Sequence, residues 1–152
     1  MATMIEAVDE MHKVVVDAWK ANATTLLGVS PVPLMLTLVD GDAEPDNNPK
    51  AWGRLTVLHQ DADAYALGKR YRPVGTLYVN IFVSRAPNLL GLGKTAGAKA
   101  ALVAEMIETA LRAHGTSNGQ VELTNIRVAE AGRDGIWEQI NVLSAFSYLK
   151  RN

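Results

Sequence analysis

Apolar positions recur at helical spacing through the first twenty residues. Ile5, Val8, Met11, Val15 and Trp19 share one stripe, while Glu6, Asp9, Glu10, Lys13, Asp17 and Lys20 fall mostly opposite. The pattern predicts an amphipathic helix. Thr3 and Glu6 stand at capping-box spacing, so each can satisfy the other's free amide, and acids in the first turn suit the positive end of the helix dipole. Gly28, Pro31 and Pro33 stop the helix, and Leu34-Met35-Leu36-Thr37-Leu38-Val39 predicts a short buried strand. From Trp52 to His59 the period becomes two: Leu55 and Val57 face one way, Arg54, Thr56 and Leu58 the other. From Thr76 to Ser84 the alternation is cleaner. Leu77, Val79, Ile81 and Val83 oppose Thr76, Tyr78, Asn80 and Ser84, with Phe82 the exception. Asp61 to Pro73, between these strands, is too long for a tight turn and predicts a loop.

An Ala-rich run from about Thr95 to His114 predicts a second helix, with Ala100, Val103, Ile107, Ala110 and Leu111 on its apolar stripe and Gly115 ending it. Val121-Glu122-Leu123 through Arg127-Val128, then Asp134-Gly135, then Ile136 to Tyr148 predict an antiparallel hairpin. Its last strand sets Ile136, Ile140, Val142, Phe146 and Tyr148 against Trp137, Gln139, Asn141, Ala145 and Ser147. Strands in hairpin-like pairs rather than regular βαβ units predict an α+β fold: an antiparallel or mixed sheet of four to five strands with two main helices packed on one face. Residues 1–152 read as a single domain, with no linker, internal repeat or low-complexity tract.

Composition narrows the class. A chain of 152 residues that is 48% hydrophobic and 20% charged can build a core, which excludes a disordered or fibrous chain. Fifteen basic against sixteen acidic side chains give a net charge of −1, so any contact with nucleic acid must be local. The absence of cysteine removes disulfides, thiolate metal sites and cysteine nucleophiles together. The amino terminus meets an acid at Glu6 without a basic or long apolar run, so no signal peptide is expected. No apolar stretch approaches the roughly 20 residues of a membrane helix, and no membrane partner is expected.

The chemistry-bearing motifs are near misses. Asn88-Leu89-Leu90-Gly91-Leu92-Gly93-Lys94-Thr95 approaches a phosphate-binding loop, but Asn88 stands where glycine is required, and the apolar strand ending at Asp40 precedes the loop rather than following it. Asp40-Gly41-Asp42-Ala43-Glu44-Pro45-Asp46 opens like a calcium loop, yet Pro45 and Ala51 occupy the places of its glycine and bidentate glutamate. His12, His59 and His114 are scattered, with no metal spacing and no serine triad. Neither a catalytic residue, a metal nor a cofactor is expected. Lys69-Arg70-Tyr71-Arg72 is the one basic cluster, suited either to solvation or to an anionic partner.

The order of the pieces resembles the tail terminator (tail completion) family of long-tailed bacteriophages. The resemblance rests on Pro49-Lys50-Ala51-Trp52-Gly53-Arg54-Leu55-Thr56-Val57, on Ala66-Leu67-Gly68 followed by Tyr71-Arg72-Pro73-Val74-Gly75-Thr76-Leu77-Tyr78-Val79, and on Arg133-Asp134-Gly135-Ile136-Trp137-Glu138-Gln139-Ile140-Asn141-Val142. It spans nearly the whole chain and departs at Ser84 to Asn88 and at the inserted Leu89 to Lys94. It implies a virion protein without enzymatic activity. Its copies would close into a ring, by the resemblance a hexamer, that caps the last ring of tail-tube protein, halts tube growth and presents a surface to a head-tail connector or neck protein, with DNA passing through the lumen unread. Another neck or head-completion ring protein shares that logic. The expected partner-binding residues are Lys69, Arg70, Tyr71 and Arg72, reaching acidic tube residues or passing DNA. Asp40, Asp42, Glu44 and Asp46 would pair with a basic neighbour, and Trp52, Arg54 and Trp137 would meet the adjacent subunit or pack inside.

Overall fold

A computed structural model describes residues 2–27, 32–37, 51–60, 63–65, 70–84, 96–115, 120–134 and 137–149. The first helix, α1, spans Met4–Leu27 and opens on the capping box: Thr3 N–H donates to Glu6 Oε2 at 2.8 Å, and Glu6 N–H to Thr3 Oγ1 at 3.2 Å. Val8, Met11, Val15 and Trp19 are buried as the stripe predicts. Ile5 is not; it is 73% exposed, and Ala7 and Ala18 take the inner surface instead. A stripe read at fixed spacing drifts off the centre of the buried arc, and its first residue falls on the rim.

The strands are β1 (Leu34–Thr37), β2 (Ala51–His59), β3 (Asp63–Tyr65), β4 (Arg70–Arg72), β5 (Val74–Ser84), β6 (Glu122–Asp134) and β7 (Trp137–Ser147), with α2 (Ala96–Gly115) between β5 and β6. Five of them form one mixed sheet in the order β1-β2-β5-β7-β6, in which β1 runs parallel to β2 and all other pairs are antiparallel. The fold is α+β, with two helices and a five-stranded sheet. No helix among the described residues is long and apolar enough to cross a membrane.

Both helices lie on one side. Leu55 and Val57 of β2, Leu77, Val79, Ile81 and Val83 of β5, and Ile140, Val142 and Phe146 of β7 meet Val8, Met11, Val15, Val103, Ile107 and Leu111 in a single core. Trp19 closes it at the β1 end, where its indole N–H donates to the Val32 carbonyl at 2.8 Å. Its ring lies so near the Gly53 backbone that an added Cβ would stand 2.5 Å from it. Glycine is therefore required there by close approach.

At the other end of the helix layer, Glu10 joins three elements. Its carboxylate accepts from Nε2 of His114 at 2.9 Å, from the Gln120 N–H at 2.9 Å and from the Val121 N–H at 2.8 Å, tying α1 to the end of α2 and the start of β6. Burial raises its pKa, but these hydrogen bonds and the His114 charge outweigh that and hold the carboxyl below its ordinary value.

Candidate functional site

The opposite face of the sheet carries no helix among the described residues. In register across it stand Trp52 with Phe82, Arg54 with Asn80, and Thr56 with Tyr78 on β2 and β5. On β7, Gln139, Asn141 and Leu143 continue these rows. The period of two that sends Leu55 and Val79 into the core sends these side chains outward together.

Trp52 and Phe82 stack at 4.2 Å between centroids, 14° from parallel, and Trp137 meets Trp52 edge-on at 6.4 Å and 84°. The Arg54 guanidinium carbon lies 5.7 Å from the Trp52 ring centre and 5.3 Å from that of Phe82, in cation–π range of both. Only 4% of Trp52 and 3% of Phe82 remain exposed, so this corner is a second small core. It also explains the Phe82 exception in the alternation. Beside it runs a polar ladder: Arg54 Nε donates to Asn80 Oδ1 at 3.5 Å, while Asn80 Nδ2 and Gln139 Nε2 donate to Asn141 Oδ1 at 2.7 and 2.9 Å. Asn80 meets Asn141 across β5 and β7, while Gln139 reaches Asn141 along β7 itself, and together these bonds hold the face in one arrangement.

The described residues between β2 and β5 pair as strands where the sequence predicts a loop. The β2–β5 ladder runs to His59 opposite Gly75, and Gln60 N–H donates to the Val74 carbonyl. Pro73 has no N–H to continue it, and the pairing resumes with β3 on β4, Asp63 opposite Arg72 and Tyr65 opposite Arg70, offset by one residue. Within the expected loop, β3 and β4 thus form a two-stranded antiparallel arm at the end of the sheet. At its base Tyr148 O–H lies 2.8 Å from Nε2 of His59, and the His59 ring stands edge-on to Phe146 at 5.1 Å. Burial holds His59 below its ordinary pKa and raises that of Tyr148, so the uncharged form of each is favoured where they meet.

The expected partner residues are thereby distributed. Trp52, Arg54 and Trp137 come together on the face that carries no helix among the described residues. Arg72 is already engaged within the chain: its Nε donates to Ser147 Oγ at 3.2 Å, and its guanidinium pairs with Glu122. Arg70 and Tyr71 sit on β4 beside it. Lys69, Asp40, Asp42, Glu44 and Asp46 lie outside the described residues, as do Asn88 to Thr95. Among the described residues no cluster of His, Asp and Glu has the makings of a metal site. Sequence reasoning missed Asn80, Gln139 and Asn141. Their signal was the recurrence of amides on the outward positions of two strands that prove adjacent, which needs the strand order to be known.

No family model matches the sequence, and no curated protein matches it. Among solved structures, one protein that carries only a sequence identifier as its name aligns over 93% of this chain and 96% of its own, at 15% identity and a TM-score of 0.49.

Proposed function

We propose that the protein is a structural virion subunit whose copies join head-to-tail in a ring, a hexamer by the resemblance, that caps a bacteriophage tail tube and offers the neck its attachment surface. The observation that supports this reading is the pairing of a braced sheet face, bare of helices among the described residues, with the two-stranded β3–β4 arm at its end. A ring closes only if each copy meets the next at a fixed angle, which a stacked and hydrogen-bonded sheet can hold. The arm's second strand carries Arg70, Tyr71 and Arg72, a basic run suited to an acidic tube rim. No step in this role makes or breaks a covalent bond.

Tail length measures the function directly. Added to polymerising tail tubes, the protein halts growth at a fixed length, and electron microscopy of capped tubes shows a ring at one end; Arg70→Glu leaves tubes uncapped. Tubes of unrestricted length in the presence of the unaltered protein refute the reading. A ring found instead against the portal identifies a neck or head-completion protein. Saturable ATP binding lost in Lys94→Ala identifies a nucleotide-binding protein.

A further inference from the structure

Among the described residues the five-stranded sheet ends on two unpaired edges, β1 and β6, and they match each other. At one, β1 leaves Leu36 50% exposed on the helix side, in register with the buried Leu55. At the other, β6 leaves Val128 36% exposed on the same side, in register with the buried Val142. Between β6 and α2 a groove of about 400 Å³ is lined by Ala101, Ile126, Val128 and Ile140. Its rim carries Glu105, Glu108 and Glu130 against Arg112 and Arg127. Both arginines are engaged locally, Arg112 with Glu108 and the Ile126 carbonyl, Arg127 with the Asn125 carbonyl. The groove thus combines an apolar floor with a carboxylate excess.

Strand polarity completes the match. β1 runs with β2, and each step from β2 through β5 and β7 to β6 reverses direction, so β6 is antiparallel to β1. A second copy set beside the first with its helices on the same side would present β1 antiparallel to β6, the ordinary geometry for extending a sheet. Leu36 would then enter the groove floor. The helix bearing Trp19, which packs at the β1 end, exposes Lys13 and Lys20, opposite in charge to Glu105 and Glu130 of the groove.

We infer that the occupant of the β6 edge and its groove is the β1 edge of a second copy of this chain, joined head-to-tail so that the sheets run on from subunit to subunit. This deepens the ring reading and rests on it for closure, not for the contact itself. An edge of 13 residues unpaired among the described residues is a template for strand pairing, and a pairing of two unlike edges leaves the outer edges of each pair open to further copies until the ring closes.

The chain has no cysteine, which makes the test clean. Leu36→Cys and either Val128→Cys or Glu130→Cys are placed in separate full-length proteins and oxidised singly and mixed, at concentrations where the unaltered protein associates by light scattering. The mixture is expected to yield a disulfide-linked heterodimer, neither single variant a homodimer, and the doubly substituted chain a ladder of covalent multimers. A Val128→Cys homodimer means that two β6 edges pair about a two-fold axis, which overturns the inference. So does association without any cross-link at either β6 position, and so does a protein monomeric at every concentration. Leu36→Lys, at an exposed position, should abolish association while leaving the circular dichroism melt unchanged. Capped tubes without these cross-links would sink the edge contact and spare the ring reading. Cross-links without capping would do the reverse.

Discussion

Replacing Glu10 with alanine removes one side chain and unties three elements at once. Its carboxylate holds Nε2 of His114 and the N–H groups of Gln120 and Val121, all at 2.8–2.9 Å, and 22% of the side chain is exposed. A hydrogen bond to a charged group contributes about 1.5–3 kcal/mol and a neutral one about 0.5–1.5. The Gln120 amide is exposed and can turn to water, so the loss falls mainly on Val121 and His114. A destabilisation of about 2–4 kcal/mol is expected, or about 5–15 °C in Tm for a domain of this size. Glu10→Gln keeps an acceptor and should cost about half as much. The acid also gives a signature in pH. Its folded pKa lies below the ordinary value of 4.5, so its stabilisation is complete above that value and is lost as pH falls through the window down to the folded pKa. Urea denaturation at pH 7 and pH 4 should therefore show the unaltered protein losing stability over this interval and Glu10→Gln losing less. An alanine variant within about 0.5 kcal/mol of the parent, or an unchanged acid limb in Glu10→Gln, would refute the reasoning.

Further expectations concern the sheet and the arm. Gly53→Ala must displace Trp19 or Leu34 and should cost about 1–3 kcal/mol by denaturant titration, whereas Trp19→Phe in the same background should recover part of that by clearing space. Trp52→Ala removes the stack on Phe82 and the cation–π partner of Arg54, an expected loss of about 3–5 kcal/mol in a thermal melt. Arg72→Glu faces Glu122 with a like charge and gives up Ser147, so it should lower stability by about 0.5–1 kcal/mol as well as impair capping, while Arg70→Glu impairs capping alone in the tail-length assay. Burial depresses the pKa of both His12 and His59, for His12 partly against the pull of Asp9, so both contribute stability that is complete above the ordinary 6.5 and declines as pH falls below it. His59→Asn should flatten the decline between pH 6.5 and 5 measured by chemical denaturation.

Local rules were legible wherever one face of an element is buried. Thr3 and Glu6 announced the start of α1, the alternation around Val79 announced β5, and Asp134-Gly135 announced the β6–β7 hairpin, whose register runs to Asp134 opposite Trp137. What sequence spacing leaves out is which strands become neighbours. β1 pairs parallel to β2 across 13 intervening residues, and no local pattern distinguishes that from an antiparallel edge. Ser144, fully buried on the apolar face of β7, is invisible to a hydrophobic pattern because its hydroxyl is satisfied by the Thr124 and Ala145 carbonyls. Asn125 at φ 51° marks a bulge in β6, which the sequence alone reads as uninterrupted. The candidate site was half legible for the same reason. Trp52, Arg54 and Trp137 were singled out one by one, but their union with Phe82 and the Asn80–Asn141 ladder depends on β2, β5 and β7 lying side by side.

Pro73 separates two mechanical regimes in what would otherwise be one long ribbon. Below it, every residue of β2 and β5 is locked to the core through β7, and a change of length by one residue would invert a whole row of side chains. Above it the pairing restarts on its own count, so insertions or deletions beyond that proline need not propagate inward. The pairing of β3 with β4 can therefore lengthen or shorten without shifting the register of the scaffold beneath.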